Sequence, residues 1–296
     1  MYFLCTLKNR LFTRGFLVNS LPKAGTNLLA KAVALFPGIR RTEGVHQIFA
    51  PALNDSEENG KTIPYGIDSP RKIPLKKMEN VFKQIKNGSF GIVHLPYSET
   101  VNTILLKRRI RTVLILRDPR DVVVSHARYV AKSPDHFLYN HYHALSDSER
   151  IMRSIQGVIF QDPDHPVLLN IYDRYHHLLD WMDSPTNYTT FFEKLVGPNG
   201  GGSRESQLIE LRNIGEHLEL SYDRGTIEKV ADLLFGGTGT FHRGLIGSWR
   251  HHFSKVHESA FNQIAGSLLK KFDFNGCPQI KKSSSFTRGK YFPHGE

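Results

Sequence analysis

The sequence predicts an α/β fold with three layers, in which a mostly parallel sheet is flanked by helices on both faces. Short continuous apolar runs at 16–19, 90–95 and 112–116 are typical of strands that are buried on both sides. Segments of helical composition alternate with these runs, as they do where helices connect parallel strands. The chain has 296 residues, of which 40% are hydrophobic and 23% charged, so collagen-like and disordered classes are excluded.

Two strand-loop-helix units carry most of this prediction. The first strand leads through a tight loop at 22–27 into a helix expected at 28–36. The strand at 112–116 leads through 117–121 into a helix at 122–130, and Pro119 suits a helix start because its missing N–H needs no partner there. The other expected elements are helices around 75–85, 171–182, 204–220, 226–235 and 257–271 and a strand at 188–192.

The domain organisation is expected to be simple. No internal repeat or boundary is visible, so we expect one domain over 1–280. The tail at 281–296 is basic and poor in aliphatic residues, and we expect it to be flexible. The glycine run at 200–202 favours a flexible loop.

The location of the protein is predicted from what the sequence lacks. No apolar run approaches the roughly 18–20 residues that span a bilayer. The first twenty residues are interrupted by Lys8, Arg10 and Arg14 and do not form the apolar block of a signal peptide. The two cysteines, Cys5 and Cys277, give neither a disulfide framework nor a metal-binding CxxC pair. We therefore expect a cytoplasmic protein without a transmembrane segment.

The charge balance points to an anionic partner. The sequence has 39 Lys and Arg against 28 Asp and Glu, a formal net charge of +11. Nucleic acid, a membrane surface and a small phosphate ligand are all compatible with such a surplus. Nucleic-acid binding calls for a known module or for basic residues interleaved with exposed aromatic residues. The sequence shows neither, so we expect no nucleic-acid partner.

The loop at 22–27 has the composition of an anion-binding loop. In a parallel sheet it lies where helix N-termini present free N–H groups to a ligand. Gly25 lets the backbone approach an anion, Lys23 adds a positive charge, and Thr26 and Asn27 add hydrogen-bonding side chains. The spacing is not that of the nucleoside triphosphatase loop, since the lysine precedes the glycine. An ordinary turn with a solvated lysine is the alternative.

A second segment follows the strand at 112–116. The planar fork of Arg117 suits a phosphate because it binds two oxygen atoms at once. Ser125 lies about two turns into the following helix if Asp118 or Pro119 opens that helix. The alternative is that Arg117, Asp118, Arg120 and Asp121 form a surface cluster of salt bridges.

At this point the sequence resembles a known family, the sulfotransferases that use 3′-phosphoadenosine 5′-phosphosulfate (PAPS) and release 3′-phosphoadenosine 5′-phosphate (PAP). Four stretches carry the resemblance in the family's order: PKAGTNLL at 22–29, VHLP at 93–96, LRDPRDVVVSHARYV at 116–130 and FHRGLIGSWRHHF at 241–253. Each alone is weak, but four in order are specific. The resemblance implies P-loop-like nucleotide-binding topology.

The family's functional residues carry over onto these stretches. The residues implied for the 5′-phosphosulfate end are Lys23, Gly25, Thr26 and Asn27. Those implied for the 3′-phosphate are Arg117, Ser125, Arg243 and Gly244. The resemblance also implies Phe192 beside the adenine, His94 as the general base, and Lys23 as the catalytic group that stabilises charge on the leaving phosphate. A neutral histidine can accept a hydroxyl proton near physiological pH. No metal is implied.

The sequence also departs from the family pattern. Ile92 stands where a lysine is frequent, His242 begins the C-terminal basic pair, Ser248 replaces an aspartate, and Leu28 replaces a tryptophan. His242, His251 and His252 lack an accompanying cysteine or carboxylate at ligand spacing, so we expect no metal site there.

The expected partner is a small-molecule, lipid or carbohydrate acceptor with a hydroxyl or amine, and a homodimer stays open. Two other functions also stay open. One is a nucleotide phosphotransferase on the same fold, which would prefer ATP with Mg²⁺. The other is a non-catalytic anion-binding or glycan-binding module, which would not need His94.

Overall fold

Four of the strands lie close to the positions that the sequence predicts, near 16–19, 90–95, 112–116 and 188–192, whereas the other three described strands were not predicted. A computed structural model of the chain describes residues 15–42, 61–159, 168–237, 244–276 and 278. The strands in this part of the chain are β1 (Phe16–Ser20), β2 (Arg40–Arg41), β3 (Thr62–Tyr65), β4 (Arg71–Pro74), β5 (Ser89–Val93), β6 (Arg111–Leu116) and β7 (Asn187–Phe191).

Five of these strands form one parallel sheet in the order β2-β5-β1-β6-β7. β1 lies at its centre, where Phe16 pairs with Phe90 of β5 on one side and with Arg111 of β6 on the other. Because the strands are parallel, their carboxyl ends meet at one edge, and the segments that follow β1, β5 and β6 leave from neighbouring positions. β3 and β4 form a separate antiparallel hairpin.

Helices connect the strands and cover the sheet. In chain order they are α1 (Thr26–Leu35), α2 (Leu75–Gln84), α3 (Glu99–Arg108), α4 (Pro119–Lys132), α5 (Tyr139–Tyr142), α6 (Asp147–Gln156), α7 (Ile171–Leu179), α8 (Phe192–Leu195), α9 (Arg204–His217), α10 (Arg224–Leu234) and α11 (Lys255–Phe272). Short 3₁₀ turns lie at Asp180–Asp183, Pro198–Gly200 and Ser248–His251.

The side chains of β1 show why the fold has three layers. Successive side chains of a strand point to opposite faces. Leu17 belongs to one apolar core with helices such as α4, α7 and α11. Phe16 and Val18 belong to a second core with α1, α9 and α10. The predicted three-layer arrangement, a parallel sheet between two layers of helices, is therefore confirmed.

Several element boundaries differ from the sequence prediction. The sequence analysis does not predict α3, in which Val101, Asn102 and Leu105 are the buried residues. The helix expected at 171–182 ends at Leu179 and continues as a 3₁₀ turn.

The glycine run at 200–202 forms a compact turn rather than an open loop. Its N–H groups bond back to the carbonyl oxygens of Gly197 and Pro198 at 2.8–3.1 Å.

Two further predictions concern the ends and surroundings of the fold. The tail at 281–296, which we expect to be flexible, lies outside the described residues. Among the helices that the structure describes, none is long and apolar enough to cross a membrane.

Candidate functional site

The loop after β1 opens α1 with a backbone shape that favours anion binding. Lys23 has φ of 71° and Gly25 has φ of 112°, both in the left-handed region. A side chain at Gly25 would lie 3.0 Å from Ile115 and from Phe192, so glycine is required there by space as well as by conformation. No described side chain caps α1 and its first turn contains no acidic residue, so no carboxylate of that turn competes with an anion for the helix N-terminus. Thr26 and Asn27 begin this helix and are partly exposed.

His94 lies beside the end of β1, because Val93 of β5 pairs with Asn19. The Nδ1 atom of His94 is 2.7 Å from the carbonyl oxygen of Ser20. A carbonyl oxygen only accepts, so Nδ1 carries the hydrogen and the neutral ring has its lone pair on Nε2. Ser20 Oγ lies 2.6 Å from Thr26 Oγ1 and 3.4 Å from His94 Nδ1. Ser20 therefore joins the histidine to the anion-binding loop.

A buried amide fixes the segment that carries His94. The Oδ1 atom of Asn19 accepts hydrogen bonds from the Leu95 N–H at 2.9 Å and the Ser20 N–H at 3.0 Å. Its Nδ2 donates to the Leu95 carbonyl at 3.1 Å, and the Trp181 indole donates to the same oxygen at 3.0 Å. Since Asn19, Leu95 and Trp181 are buried, these bonds hold the backbone directly after His94 in one position.

Lys23 is a partly buried cation at the same edge of the sheet. Its Nζ lies 3.9 Å from the centre of the Tyr129 ring. Burial and, as the smaller cause, the positive charge of Arg117 together lower the pKa of Lys23 to about 8. Lys23 is therefore not the solvated lysine of an ordinary turn.

Arg117 leaves the end of β6 and is 7% exposed. Its Nη2 donates to the Leu245 carbonyl at 2.9 Å and lies 3.6 Å from a carboxylate oxygen of Asp121. The guanidinium lies 4.1 Å from the centre of the Phe192 ring. Its Nε is buried without a hydrogen-bond partner among the described residues. Arg117 thus keeps a buried donor that a bound anion could use.

The charged residues around Arg117 are not a surface cluster. Arg117, Asp118, Arg120 and Asp121 are all buried, so the alternative is wrong about the surface, although these residues do form salt bridges with one another. Asp118 caps α4 by accepting from the Arg120 N–H at 2.9 Å, and it also pairs with the Arg120 guanidinium at 2.6 Å. α4 begins at Pro119 with Asp118 as its N-cap, earlier than the helix expected at 122–130.

Asp121 fastens the C-terminal segment 244–249 to this network. One carboxylate oxygen accepts from the Gly247 N–H at 2.8 Å. The other accepts from the Ser248 hydroxyl at 3.0 Å and from the Trp249 N–H at 2.9 Å. The Ile246 N–H also donates to the Gly200 carbonyl at 3.0 Å. The segment therefore lies over Arg117 and against the glycine turn.

The remaining predicted site residues lie around Arg117 at different depths. Gly244 is partly exposed and precedes the residue whose carbonyl binds Arg117. Ser125 is partly exposed on α4, four residues after Asp121 and so on the same side of the helix. Phe192 is 4% exposed, with its ring between Gly25 and the Arg117 guanidinium. Arg243 and His242 lie outside the described residues.

Glu193 is a buried acid that the sequence did not single out. Its Oε1 accepts from the Asp118 N–H at 2.8 Å, and its Oε2 is buried without a partner among the described residues. Burial raises the pKa of Glu193 to about 7. The acid lies next to Phe192 in sequence and supports the backbone that carries Arg117.

The residues that depart from the family pattern have defined surroundings. Ile92 is 3% exposed and belongs to the core with α1. Ser248 donates to Asp121, where an aspartate would set two carboxylates against each other. His252 contacts the Arg128 guanidinium at 2.8 Å, and His251 is exposed. In the described ranges, no three His, Cys, Asp or Glu side chains converge as metal ligands.

Sequence reasoning missed the residues that fix the site rather than face its ligand. Ser20 and Asn19 were not identified, although they end a buried strand directly before the loop, and Asp121 was considered only as part of a surface cluster of salt bridges. Asp121 lies four residues after Arg117 along the chain, which is the spacing of neighbours on a helix. The position of Asn19 and Ser20 at the strand end, and the four-residue spacing of Arg117 and Asp121, were the features of the sequence that could have indicated these residues.

The arrangement brings His94, the loop at 22–27 and two cations to one edge of the sheet. The charge of Arg117 is, after burial, the second cause of the lowered pKa of Lys23, so these two cations lie close enough to repel. A site of this kind suits a ligand with more than one negative charge.

Comparison with known proteins identifies the fold and the family. The sequence profile of the family described as the sulfotransferase domain matches residues 14–273. No curated protein matches the sequence significantly. A crystal structure of a mouse sulfotransferase complexed with PAP is similar at 16% identity and a TM-score of 0.59, over 87% of this chain and 85% of that one. A structure of retinol dehydratase with androsterone and the inactive cofactor PAP is similar at 13% identity and a TM-score of 0.51, over 91% and 85% of the two chains.

Proposed function

The chain belongs to the sulfotransferase domain family, and we propose that it transfers the sulfuryl group of PAPS to a hydroxyl or amine of an acceptor, with His94 as the general base. One observation carries the proposal most directly. The Nδ1 of His94 is bonded to the carbonyl of Ser20, directly before the loop of Lys23 and Gly25. The proton acceptor and the anion-binding loop are thereby held together.

The residues present fit a doubly phosphorylated nucleotide. Lys23, Gly25, Thr26 and Asn27 would hold the 5′-phosphosulfate end. Arg117, with its unpartnered buried Nε, would hold the 3′-phosphate together with Ser125, Gly244 and Arg243. Phe192 supports Arg117 from below its guanidinium plane and would lie beside the adenine. PAP in two similar structures supports the same nucleotide for this chain.

The proposed reaction needs alignment and charge stabilisation more than covalent catalysis. The acceptor oxygen or nitrogen forms a bond to sulfur while the bond from sulfur to the donor's phosphate oxygen breaks. Nε2 of His94 takes the acceptor proton, because Nδ1 already donates to Ser20. Lys23 offsets the negative charge that stays on the leaving phosphate. Protein side chains supply each of these roles, and the proposal needs no metal.

The test combines binding with transfer. Thermal shift with PAP, with PAPS and with ATP plus Mg²⁺ separates this proposal from a phosphotransferase. Mass spectrometry of a mixed acceptor set after incubation with PAPS then detects sulfated products and released PAP. We expect a larger shift with PAP than with ATP, and sulfated product in proportion to PAP. Stabilisation by ATP with Mg²⁺ alone would support the phosphotransferase, and binding without any transfer would support an anion-binding module.

A further inference from the structure

A second polar cluster lies close to the proposed site and has no role in donor binding. We call Asp68, His126 and Arg174 the buried triad. Asp68 lies between β3 and β4, His126 on α4 and Arg174 on α7. The Nε atom of Arg174 donates a hydrogen bond to one Asp68 oxygen at 2.6 Å, and Nη2 forms an ion pair with the same oxygen at 2.6 Å without a hydrogen bond. Three separate elements therefore meet at one carboxylate.

The triad keeps hydrogen-bonding capacity that the described residues do not use. Arg174 is fully buried and His126 is 1% exposed, and neither Arg174 Nη1 nor His126 Nε2 has a hydrogen-bond partner among the described residues. His126 Nδ1 is already engaged with the Ser154 hydroxyl at 3.0 Å. The second Asp68 oxygen lies 3.7 Å from His126 Nε2, too far for a hydrogen bond. The Asp68 side chain is 12% exposed, so this carboxylate is the part of the triad that a ligand can reach.

Aromatic rings connect the triad to Lys23. The His136 ring lies 6.2 Å from the His126 ring and 5.7 Å from the Tyr129 ring, centre to centre. Tyr129 in turn lies under the Lys23 ammonium at 3.9 Å. Phe137 stacks on His136 at 4.7 Å and is 43% exposed, while Tyr129 is 37% exposed. Tyr129, His136 and Phe137 thus form an aromatic surface that connects Lys23 to His126, the neighbour of Asp68.

The Asp68 carboxylate and the neighbouring aromatic surface together restrict what kind of acceptor can bind. A protonated amine is disfavoured because Lys23 and Arg174 place two positive charges against one carboxylate. A purely apolar acceptor would cover the Asp68 oxygen without a partner, which a site built for hydrogen bonding rejects. A sugar ring has apolar C–H faces for the aromatic surface and hydroxyl groups for the carboxylate.

We propose that Asp68 is a specificity-determining residue that accepts a hydrogen bond from a hydroxyl group of a neutral carbohydrate acceptor, whose ring lies on Tyr129 and His136. This inference rests on the proposed function. A second hydroxyl of the same sugar is then the one that attacks sulfur, loses its proton to His94 and becomes the sulfate ester. Arg174 and His126 act through Asp68 and are positioning residues.

The experiment compares acceptors in the wild type and in Asp68→Asn. The probes are octyl β-D-glucopyranoside and octyl β-D-galactopyranoside as neutral sugars, 4-nitrophenol as an apolar hydroxyl, and hexylamine as a cation, each with PAPS. Asn keeps an oxygen for Arg174 but removes the charge. Asp135→Asn is the matched control, because Asp135 is exposed and directly precedes His136. His136→Ala is a second variant that leaves the buried ion pair intact.

We expect the wild type to sulfate at least one glycoside with a higher kcat/KM than the phenol or the amine. Asp68→Asn and His136→Ala should each lower the kcat/KM for that glycoside at least about tenfold and keep the wild-type affinity for PAP. Asp135→Asn should keep both values near those of the wild type. Lack of transfer to both glycosides, or equal glycoside kcat/KM in Asp68→Asn with PAP binding retained, would overturn the inference. Transfer to 4-nitrophenol alone would also overturn the inference about Asp68 but would leave the proposed function standing. Failure to bind PAP would reject the proposed function itself.

Discussion

Lys23 shows at the scale of one residue how burial prepares a group for its ligand. A non-glycine residue with φ of 71° is uncommon, and the loop holds Lys23 there next to an aromatic ring and near a second cation. Partial burial makes the charged form less favourable in the free protein. A bound phosphate supplies the missing negative charge, so binding should raise the pKa of Lys23 again.

This predicts a pH dependence of PAP binding with a definite sign. Lys23 is charged below its pKa of about 8 and neutral above it. The affinity for PAP should therefore fall as the pH rises above about 8, by up to about tenfold per pH unit for one linked proton. Calorimetry at pH 8.5 in buffers of different ionisation enthalpy should detect proton uptake on binding.

Lys23→Arg is the control for that prediction, because arginine stays charged throughout this range. Its PAP affinity should not vary with pH above 8 and its proton uptake should be absent. Equal proton uptake in wild type and Lys23→Arg would assign the titration to another group.

Arg117 gives a second prediction at this scale. Arg117→Ala removes a charged donor from the proposed 3′-phosphate site, and hydrogen bonds to charged groups contribute about 1.5–3 kcal/mol. PAP affinity should fall roughly ten- to hundredfold in calorimetry. Arg108→Ala, at an exposed position on α3, lowers the net charge equally and should bind PAP like the wild type. A similar loss in both variants would mean that the overall charge, not Arg117, attracts the nucleotide.

At the scale of elements, the site depends on one carboxylate that joins α4 to the segment 244–249. Asp121 accepts three hydrogen bonds from that segment and lies 3.6 Å from Arg117. The segment is short and lies across the edge of the sheet. Its position therefore depends strongly on the three hydrogen bonds to Asp121. The same contact also fixes the carbonyl that accepts from Arg117.

Asp121→Asn should therefore loosen the segment before it unfolds the domain. The amide nitrogen cannot accept a hydrogen bond, so part of the set is lost, at a cost of about 1–3 kcal/mol. Hydrogen exchange in peptides covering 244–252 should become at least several-fold faster, and Tm should fall by several degrees. Asp147→Asn, at a side chain that is 78% exposed, is the control. Unchanged exchange in 244–252 would show that other contacts hold the segment.

The sequence allowed the sheet to be predicted better than the contacts between distant segments. Continuous apolar runs mark the central strands, because both faces of β1 and β6 pack on helices. The helices α3 and α6 were missed, although Ser146 and Glu149 form a capping box at the start of α6, which is a signal that the sequence carries. The predicted loop and strand-end residues lie at the same edge, but nothing local to the sequence indicates that Asp121 holds residues 126–128 positions away, or that Asp68 meets Arg174.

At the scale of the whole molecule, buried charge links stability to pH. Glu193 has its folded-state pKa raised to about 7 from an ordinary value of 4.5. The protonated acid is therefore favoured by folding, and the stability that it contributes is fully present below about pH 4.5 and is lost as the pH rises towards 7 and above. The loss comes from ionising a buried carboxyl group whose Oε2 has no described partner.

Glu193→Gln should remove this component of the pH dependence. The free energy of unfolding of the wild type should decline relative to that of the variant between about pH 4.5 and 7, by about 1–3 kcal/mol. Urea unfolding at several pH values measures the difference, with the exposed Glu258→Gln as the control. A difference between wild type and Glu193→Gln that does not change with pH would contradict the raised pKa.

The central claim is that this edge of the sheet transfers sulfuryl groups with His94 as the base, and His94→Ala tests it most directly. Loss of a general base lowers turnover by about a hundredfold or more, while the anion-binding residues remain. We therefore predict that sulfated product formed from PAPS falls at least a hundredfold in His94→Ala, with the affinity for PAP unchanged and the exposed His143→Ala variant fully active. Undiminished product formation in His94→Ala, with PAP bound equally well, would contradict the account.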